Sequence, residues 1–323
     1  MILRHHGSAS RAARRQREAG DEVQRPEQGR HMLLSPRLPR GTRPAVTPPE
    51  IFDRSLRRLR RDRAQPAYAA FDFLRAQMLD GIAERLDSVT RRFEDVLDLG
   101  CFDGAFVPPP GARITRIDPG AAFAGAAGGV QADEDRPTFP DGSFDLIVSA
   151  GTLDTVSDLP GALALARRAL RPDGLLLAAF TGGATLSTLR AALRAAEGDA
   201  PAARIHPQVD VRAGGDLLAR AGFALPVADI ETLSVRYGDL FGLIRDLRGM
   251  AATNLMPGTP PLTRDTLART AQAFAARADP DGRTAERFDI VYLTGWAPAE
   301  TQPKPARRGS ATASLADALR QRD

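Results

Sequence analysis

The chain has 323 residues, a formal net charge of +4 and one cysteine, Cys101, which excludes a disulfide framework and a cysteine metal site and points to a reducing, cytoplasmic compartment. Residues 1–63 hold sixteen arginines against seven acids, so residues 64–323 are net negative and nucleic acid is not an expected partner of the core. Apolar runs such as Leu175–Phe180 are too short to form a transmembrane segment, which leaves only peripheral membrane contact open.

Residues 1–48, rich in Arg, Pro, Gly and Gln, read as a disordered basic arm, with Met32 as an alternative start. Residues 49–92 read as an N-terminal helical lid. Ile51, Phe52, Leu56 and Leu59 mark one helix, and Phe71, Phe73, Leu74, Met78 and Ile82 a second, parted from it at Pro66. Arg57, Arg58, Arg60, Arg61 and Arg63 read as a solvated face of the first.

Residues 93–300 read as one α/β domain. Asp95–Leu99 is a strand running into a turn at Gly100 and Gly104, where the missing Cβ lets the backbone bend and approach a ligand. Ile114–Ile117 is the next strand, with Asp118 at its end, and Phe144–Ser149 follows the turn Pro140–Ser143. Leu159–Leu170 is a helix capped by Asp158, with Pro160 in its first turn; Arg171–Gly174 then launches the strand Leu175–Phe180. Helices are expected over Leu186–Glu197, Asp216–Ala221, Leu240–Met250 and Thr263–Ala278, with strands at Ile230–Tyr237 and Phe288–Trp296, the last antiparallel. Alternation of this kind implies a mostly parallel sheet with helices on both faces. Residues 301–323 read as a mobile tail.

Strand, glycine turn and second-strand carboxylate form the nucleotide-pocket layout of a Rossmann-like sheet. The ordered signatures Asp98-Leu-Gly-Cys-x-x-Gly104, Asp118, Ala132-Asp-Glu134, Phe144-Asp-Leu-Ile-Val148 and Leu170-Arg-Pro-Asp-Gly174 resemble a class I S-adenosylmethionine-dependent methyltransferase. A narrower resemblance rests on Ile51-Phe-Asp-Arg54, Ser157-Asp-Leu-Pro160, Arg245-Asp-Leu-Arg-Gly-Met250, Tyr292-Leu-Thr-Gly-Trp296 and Gln302-Pro-Lys-Pro305. These look like the branch of the respiratory complex I assembly factor that hydroxylates an arginine on a partner subunit, itself similar to the biotin-pathway malonyl-carrier-protein methyltransferase.

The resemblance implies an enzyme with S-adenosylmethionine as cofactor, a protein or carrier substrate, a complex I subunit as partner, and a cytoplasmic location, peripheral at the inner membrane. It implies cofactor contacts from Asp98, Gly100, Cys101, Phe102, Gly104, Asp118, Asp133, Glu134 and Ala150, with Asp118 at the ribose, Asp133 at the adenine edge and the turn Asp98–Gly104 at the methionine moiety. It gives no catalytic residue. The alternative is an assembly factor that uses the same fold without cofactor turnover.

Three features depart from the family pattern. Pro108–Pro110 stand where a helix should follow the glycine turn, and three consecutive prolines end a helix after at most one turn. Only fourteen residues separate Asp118 from Asp133, so the helix between them is short or loose. Leu153-Asp-Thr-Val156 replaces Leu-His-Trp-Val, removing an aromatic wall; Asp154 is then either a substrate contact or, as the plainer reading, part of a surface turn. Phe102 either covers a cofactor or simply packs. Cys101 reads as a small buried filler. His206 is the only histidine of the expected fold and reads as a loop residue. Two histidines and a carboxylate for a mononuclear iron site are not available there, so no metal is expected.

Overall fold

A computed structural model describes residues 50–302, residue 138 excepted. The arm expected at residues 1–48 and nearly all of the tail expected at 301–323 lie outside the described residues. Among these, no helix is long and apolar enough to cross a membrane.

Seven strands form one sheet: β1 (Asp95–Leu99), β2 (Arg113–Asp118), β3 (Val130–Gln131), β4 (Phe144–Ala150), β5 (Leu170–Gly182), β6 (Ala224–Tyr237) and β7 (Thr284–Trp296). Their order is β3-β2-β1-β4-β5-β7-β6. The pairs from β3 to β5 are parallel, and β7 runs antiparallel to both β5 and β6. The β4–β5 register jumps from Phe144↔Leu170 to Leu146↔Leu175. Arg171–Gly174 therefore bulges out as the expected turn, with Asp173 in the left-handed region at φ 63°.

Strand alternation sorts the core into two layers. Leu97, Leu99, Ile147, Leu176 and Ala178 face α4 (Leu159–Ala169) and α6 (Val211–Arg220). Val96, Leu146, Val148, Leu175 and Leu177 face Met78 and Ile82 of α2 (Phe73–Asp87). A third cluster joins α5 (Ser187–Glu197), α7 (Leu240–Gly249) and α8 (Arg264–Ala275) over Phe288 of β7. Asp158 caps α4 by accepting from the Gly161 N–H at 2.8 Å, as its sequence position requires.

Between β1 and β2 no helix forms. The segment after Gly104 passes as an irregular chain, Phe106 buried against Val96 and Val107 80% exposed. The prolines lie beside the beginning of β1, where they line a groove of about 980 Å³ with Leu79, Leu86 and Phe93. They do not enter the mouth of the sheet at Gly100. The helix after β2, α3 (Ala121–Ala126), has six residues.

Ahead of the sheet, α1 (Arg54–Ala64) and a 3-10 turn at Gln65–Ala70 that contains Pro66 lead into α2. Here the expected solvated face holds for Arg63, which is exposed, and fails for Arg57 and Arg61. These two are 4% and 3% exposed, and with Ala64 they are the buried residues of α1. They face inward because acids at the ends of β2 and β3 stand opposite them, while Arg58 and Arg60 are half-buried.

Candidate cofactor cleft

At the end of β1 the chain turns through Gly100 (φ 78°) and Gly104 (φ 75°). The N–H groups of Gly100 and Cys101 both donate to the Ile117 carbonyl at 2.9 Å, which pins the turn to β2. A Cβ on Gly100 would stand 2.4 Å from the Thr152 methyl, so a glycine is required both for the dihedral angle and for room. Phe102 itself sits at φ 48°, an unusual conformation for a bulky residue. It is held there because its N–H donates to Asp118 Oδ2 at 2.9 Å.

Asp118, at the end of β2, is fully buried. Its Oδ1 accepts from the Gly120 N–H at 2.7 Å and from Arg61 Nε at 2.9 Å. Its Oδ2 accepts from Phe102 N–H and from Arg61 Nη2 at 2.6 Å. A carboxylate offers about four lone-pair sites, and all four are taken. The Arg61 guanidinium lies 3.7 Å above the Phe102 ring centroid. Burial alone would loosen its proton, but the Asp118 carboxylate outweighs that and raises its pKa. Under it, Tyr68 stacks on Phe102 at 5.1 Å and Phe123 meets both rings edge-on.

The next two acids are held the same way. Glu134 accepts from Arg57 Nη1 at 2.6 Å and Nη2 at 2.9 Å, and the Thr152 hydroxyl also donates to it. Burial would raise its pKa; Arg57 reverses that and holds it below the usual carboxylate range. Asp133 accepts from Arg58 Nη2 at 2.6 Å, with Arg54 Nη1 3.5 Å away. Arg54 reaches on to both oxygens of Asp135 at 2.6 Å. The arginines at 54, 57, 58 and 61 follow i, i+3, i+4, i+7 spacing and so share one face of α1. Asp62, beside that stripe, accepts from the Ala122 N–H at 2.9 Å and so ties α1 to the start of α3.

Asp98 contrasts with its neighbours. It is 0% exposed, and neither carboxylate oxygen has a hydrogen-bond partner. The nearest cation, Arg116, stands 3.9 Å away and is aimed poorly. Burial pushes its pKa up to about 6, against the pull of Arg75 and Arg116. Arg75, also buried, donates instead to Asp103 and to the Cys101 carbonyl, each at 2.9 Å. Cys101 is fully buried, and its thiol is pushed up to about 12 by that burial, which leaves it unreactive. Gly104 faces Ala127, where a Cβ would stand 3.0 Å away. Ala150 is enclosed in the core layer with Met78 and Val148.

The structure therefore gathers Asp98, Gly100, Phe102, Asp118, Asp133 and Glu134 into one buried cluster at the ends of β1, β2 and β3. Sequence reading missed Arg57, Arg61 and Thr152, which complete it. The signal was present as an arginine stripe at helical spacing facing an acidic run, Asp133-Glu-Asp135. Without the fold, such a stripe is indistinguishable from a solvated helix face.

A cavity of about 290 Å³ lies under α5, α7 and α8. Leu74, Leu189, Leu240, Leu247 and Phe288 line it, and its polar wall includes Asp154, Thr155 and His206. Thr155 links this cavity to the buried cluster, because its hydroxyl accepts from Arg57 Nε at 3.0 Å. Asp154 is half-buried here rather than in a surface turn: the Thr181 hydroxyl donates to Oδ2, Oδ1 has no partner, and burial raises its pKa. His206 Nε2 accepts from the Leu255 N–H at 2.8 Å, and burial lowers its pKa to about 4. It is a neutral loop residue, with its lone pair already used. Among the described residues no group of three or more His, Cys, Asp or Glu side chains is placed to hold a metal ion.

Residues 68–226 match the methyltransferase-domain family. The chain is 34% identical over 313 residues to the human mitochondrial arginine-hydroxylase NDUFAF5, covering 90% of this chain and 89% of that protein. It is 33% identical over 289 residues to the Danio rerio protein of the same name, covering 83% and 89%. Against the malonyl-[acyl-carrier protein] O-methyltransferase of Laribacter hongkongensis, identity is 31% over 274 residues, covering 76% and 90%.

Proposed function

The chain belongs to the methyltransferase-fold family that contains the NDUFAF5 arginine-hydroxylases and the malonyl-carrier-protein O-methyltransferases, and on that premise we propose that it uses S-adenosylmethionine to modify a side chain carried by a protein. The acceptor in this reading is an arginine of a respiratory complex I subunit, met in the cytoplasm at the inner membrane. Near full-length similarity to arginine-hydroxylases favours that acceptor over a carrier-bound acid.

The observation that carries the cofactor part is Asp98. A buried carboxylate with two unpartnered oxygens is costly to keep, and it is relieved by a cation that brings its own N–H donors. The amino group of the methionine moiety is such a cation. Asp118 would have acceptor sites for a pair of vicinal hydroxyls once Arg61 gives up its two, and Gly100 and Gly104 keep the turn free of side chains. The donor set thus fits an aminoacyl-adenosyl group in chemistry, although Arg61 holds Asp118 in the conformation described. When bound, the group supplies an electrophilic sulfonium methyl. The chain's own part would be to orient: Asp98 would hold one end, Asp118 the other, and the cavity with Asp154 on its polar wall would receive the acceptor side chain.

The test is incubation of the purified chain with S-adenosylmethionine and a respiratory membrane extract, followed by peptide mass spectrometry. The expected result is a modified arginine on one subunit. A gain of one methylene identifies methyl transfer; a gain of one oxygen identifies hydroxylation, which the sulfonium methyl cannot supply and which needs dioxygen and two electrons from the extract, with water as the second product. An arginine population identical with and without the protein refutes the reading.

A further inference from the structure

We propose that α1 is a built-in latch: Arg57 and Arg61 occupy the adenosyl part of the cleft, so docking of α1 and binding of an adenosyl cofactor are mutually exclusive. The inference rests on the cofactor reading of the cleft and adds to it a regulatory element on the chain itself.

Saturation of Asp118 is the first ground. Two backbone N–H groups and two guanidinium N–H groups fill its acceptor sites, and the backbone pair is fixed by the fold. Ribose hydroxyls can reach this carboxylate only in exchange for Arg61. The same guanidinium also covers the face of Phe102 at 3.7 Å, so a ring or ribose seated there has to displace it.

The second ground is the manner in which α1 is held. Its buried residues are Arg57, Arg61 and Ala64, while Leu59 is exposed. The helix has almost no apolar seam, and its attachment is polar: the row of ion pairs with Asp118, Asp133, Glu134 and Asp135, with hydrogen bonds from Arg57 to Thr152 and Thr155 and from the Ala122 N–H to Asp62. Buried ion pairs sit near break-even, because desolvation of both charges offsets most of their attraction. A ligand that supplies hydroxyl donors to Asp118 and an ammonium to Asp98 competes on nearly equal terms. Close approach of α1 is also designed into the chain: a Cβ on Gly120 would stand 2.8 Å from the Arg61 Cβ. Downstream, the 3-10 turn at Gln65–Ala70 separates α1 from the core-anchored α2, and its buried Tyr68, stacked on Phe102, marks where the anchored part of the chain begins.

The experiment uses the full chain and S-adenosylhomocysteine as the probe, with two readouts. Hydrogen exchange of the wild type reports on α1 without any substitution: peptides spanning residues 54–64 should exchange faster when the probe binds, the opposite of ordinary ligand protection. Calorimetric titration of Arg61→Gln should show affinity at least about tenfold tighter than wild type, because a latch that leaves a tenth or less of the protein open weakens apparent affinity by that factor. Gln retains a donor for Asp118, which guards against simple unfolding. Binding accompanied by slower exchange in α1, or weaker binding by Arg61→Gln, overturns the latch while leaving the cofactor reading intact. Absence of binding to both proteins overturns the cofactor reading, and the latch falls with it.

Discussion

Substituting Asn for Asp98 tests the claim that this carboxylate is stranded in the native state. An acid whose native pKa lies near 6 against an ordinary 3.8 destabilises the native state wherever the unfolded chain would ionise it. The sign follows from proton counts: between those two values the native state binds more protons than the unfolded state, so stability rises as pH falls through the window. At about 1.4 kcal/mol for each unit, the penalty at about pH 7.5 is roughly 3 kcal/mol, and by about pH 4.5 it has shrunk to roughly 1 kcal/mol. Asp98→Asn removes this titration, and any cost of its unpartnered amide is the same at both pH values. The difference in stability between variant and wild type should therefore be about 2 kcal/mol more favourable at the higher pH. For a domain of this size that is a relative shift in Tm of about 4–8 °C, read by calorimetry or circular dichroism at the two pH values. A Tm difference that does not change with pH would refute the reasoning, because it would mean that Asp98 titrates in the native state as it does in the unfolded chain.

Other outcomes follow from the same geometry. Arg57→Ala strands Glu134 as a buried, unpaired charge and should cost about 3–5 kcal/mol, measured by chemical denaturation; a loss under about 1 kcal/mol would show the pair to be solvated. Gly100→Ala forces an L side chain to φ 78° against Thr152 and should cost at least about 2 kcal/mol, whereas Gly111→Ala, with nothing within 4 Å, should cost only its dihedral strain of about 1–2 kcal/mol. His206 should remain neutral down to about pH 5, with Nε2 unprotonated, by heteronuclear NMR. Its depressed native pKa means that its contribution to stability, full above the ordinary value of 6.5, is lost as pH falls from there toward about 4. An imidazole titrating at its ordinary value would contradict the buried geometry.

The fold was legible in the sequence where backbone and burial signals agree. Asp95–Leu99 and Phe144–Ala150 are short, mostly apolar segments buried along nearly their whole length because they lie inside a parallel sheet, and the capping Asp158 with Pro160 fixes the start of α4 within a residue. The two-residue β3 is too short to carry periodicity and went unread. The proline run correctly announced a missing helix, but where those prolines would lie depends on the packing of α2 and could not be read locally. The cleft was half legible. Asp98, Gly100, Gly104 and Asp118 stand out through turn chemistry and spacing. The arginines of α1 do not, since a basic helical stripe has the same pattern whether it meets water or four buried acids. Asp154 was misplaced for a similar reason: its neighbours Leu153 and Val156 are core residues, and the cavity it lines is built by helices more than thirty residues downstream.

A crystal structure of the full chain grown with S-adenosylhomocysteine bears most directly on the cleft and its latch together. Expected is density for the ligand's amino group against Asp98, its ribose hydroxyls on Asp118, and Arg61 withdrawn from that carboxylate. Density showing Arg61 still forked onto Asp118, with the cleft otherwise unchanged and the ligand elsewhere or absent, would contradict both.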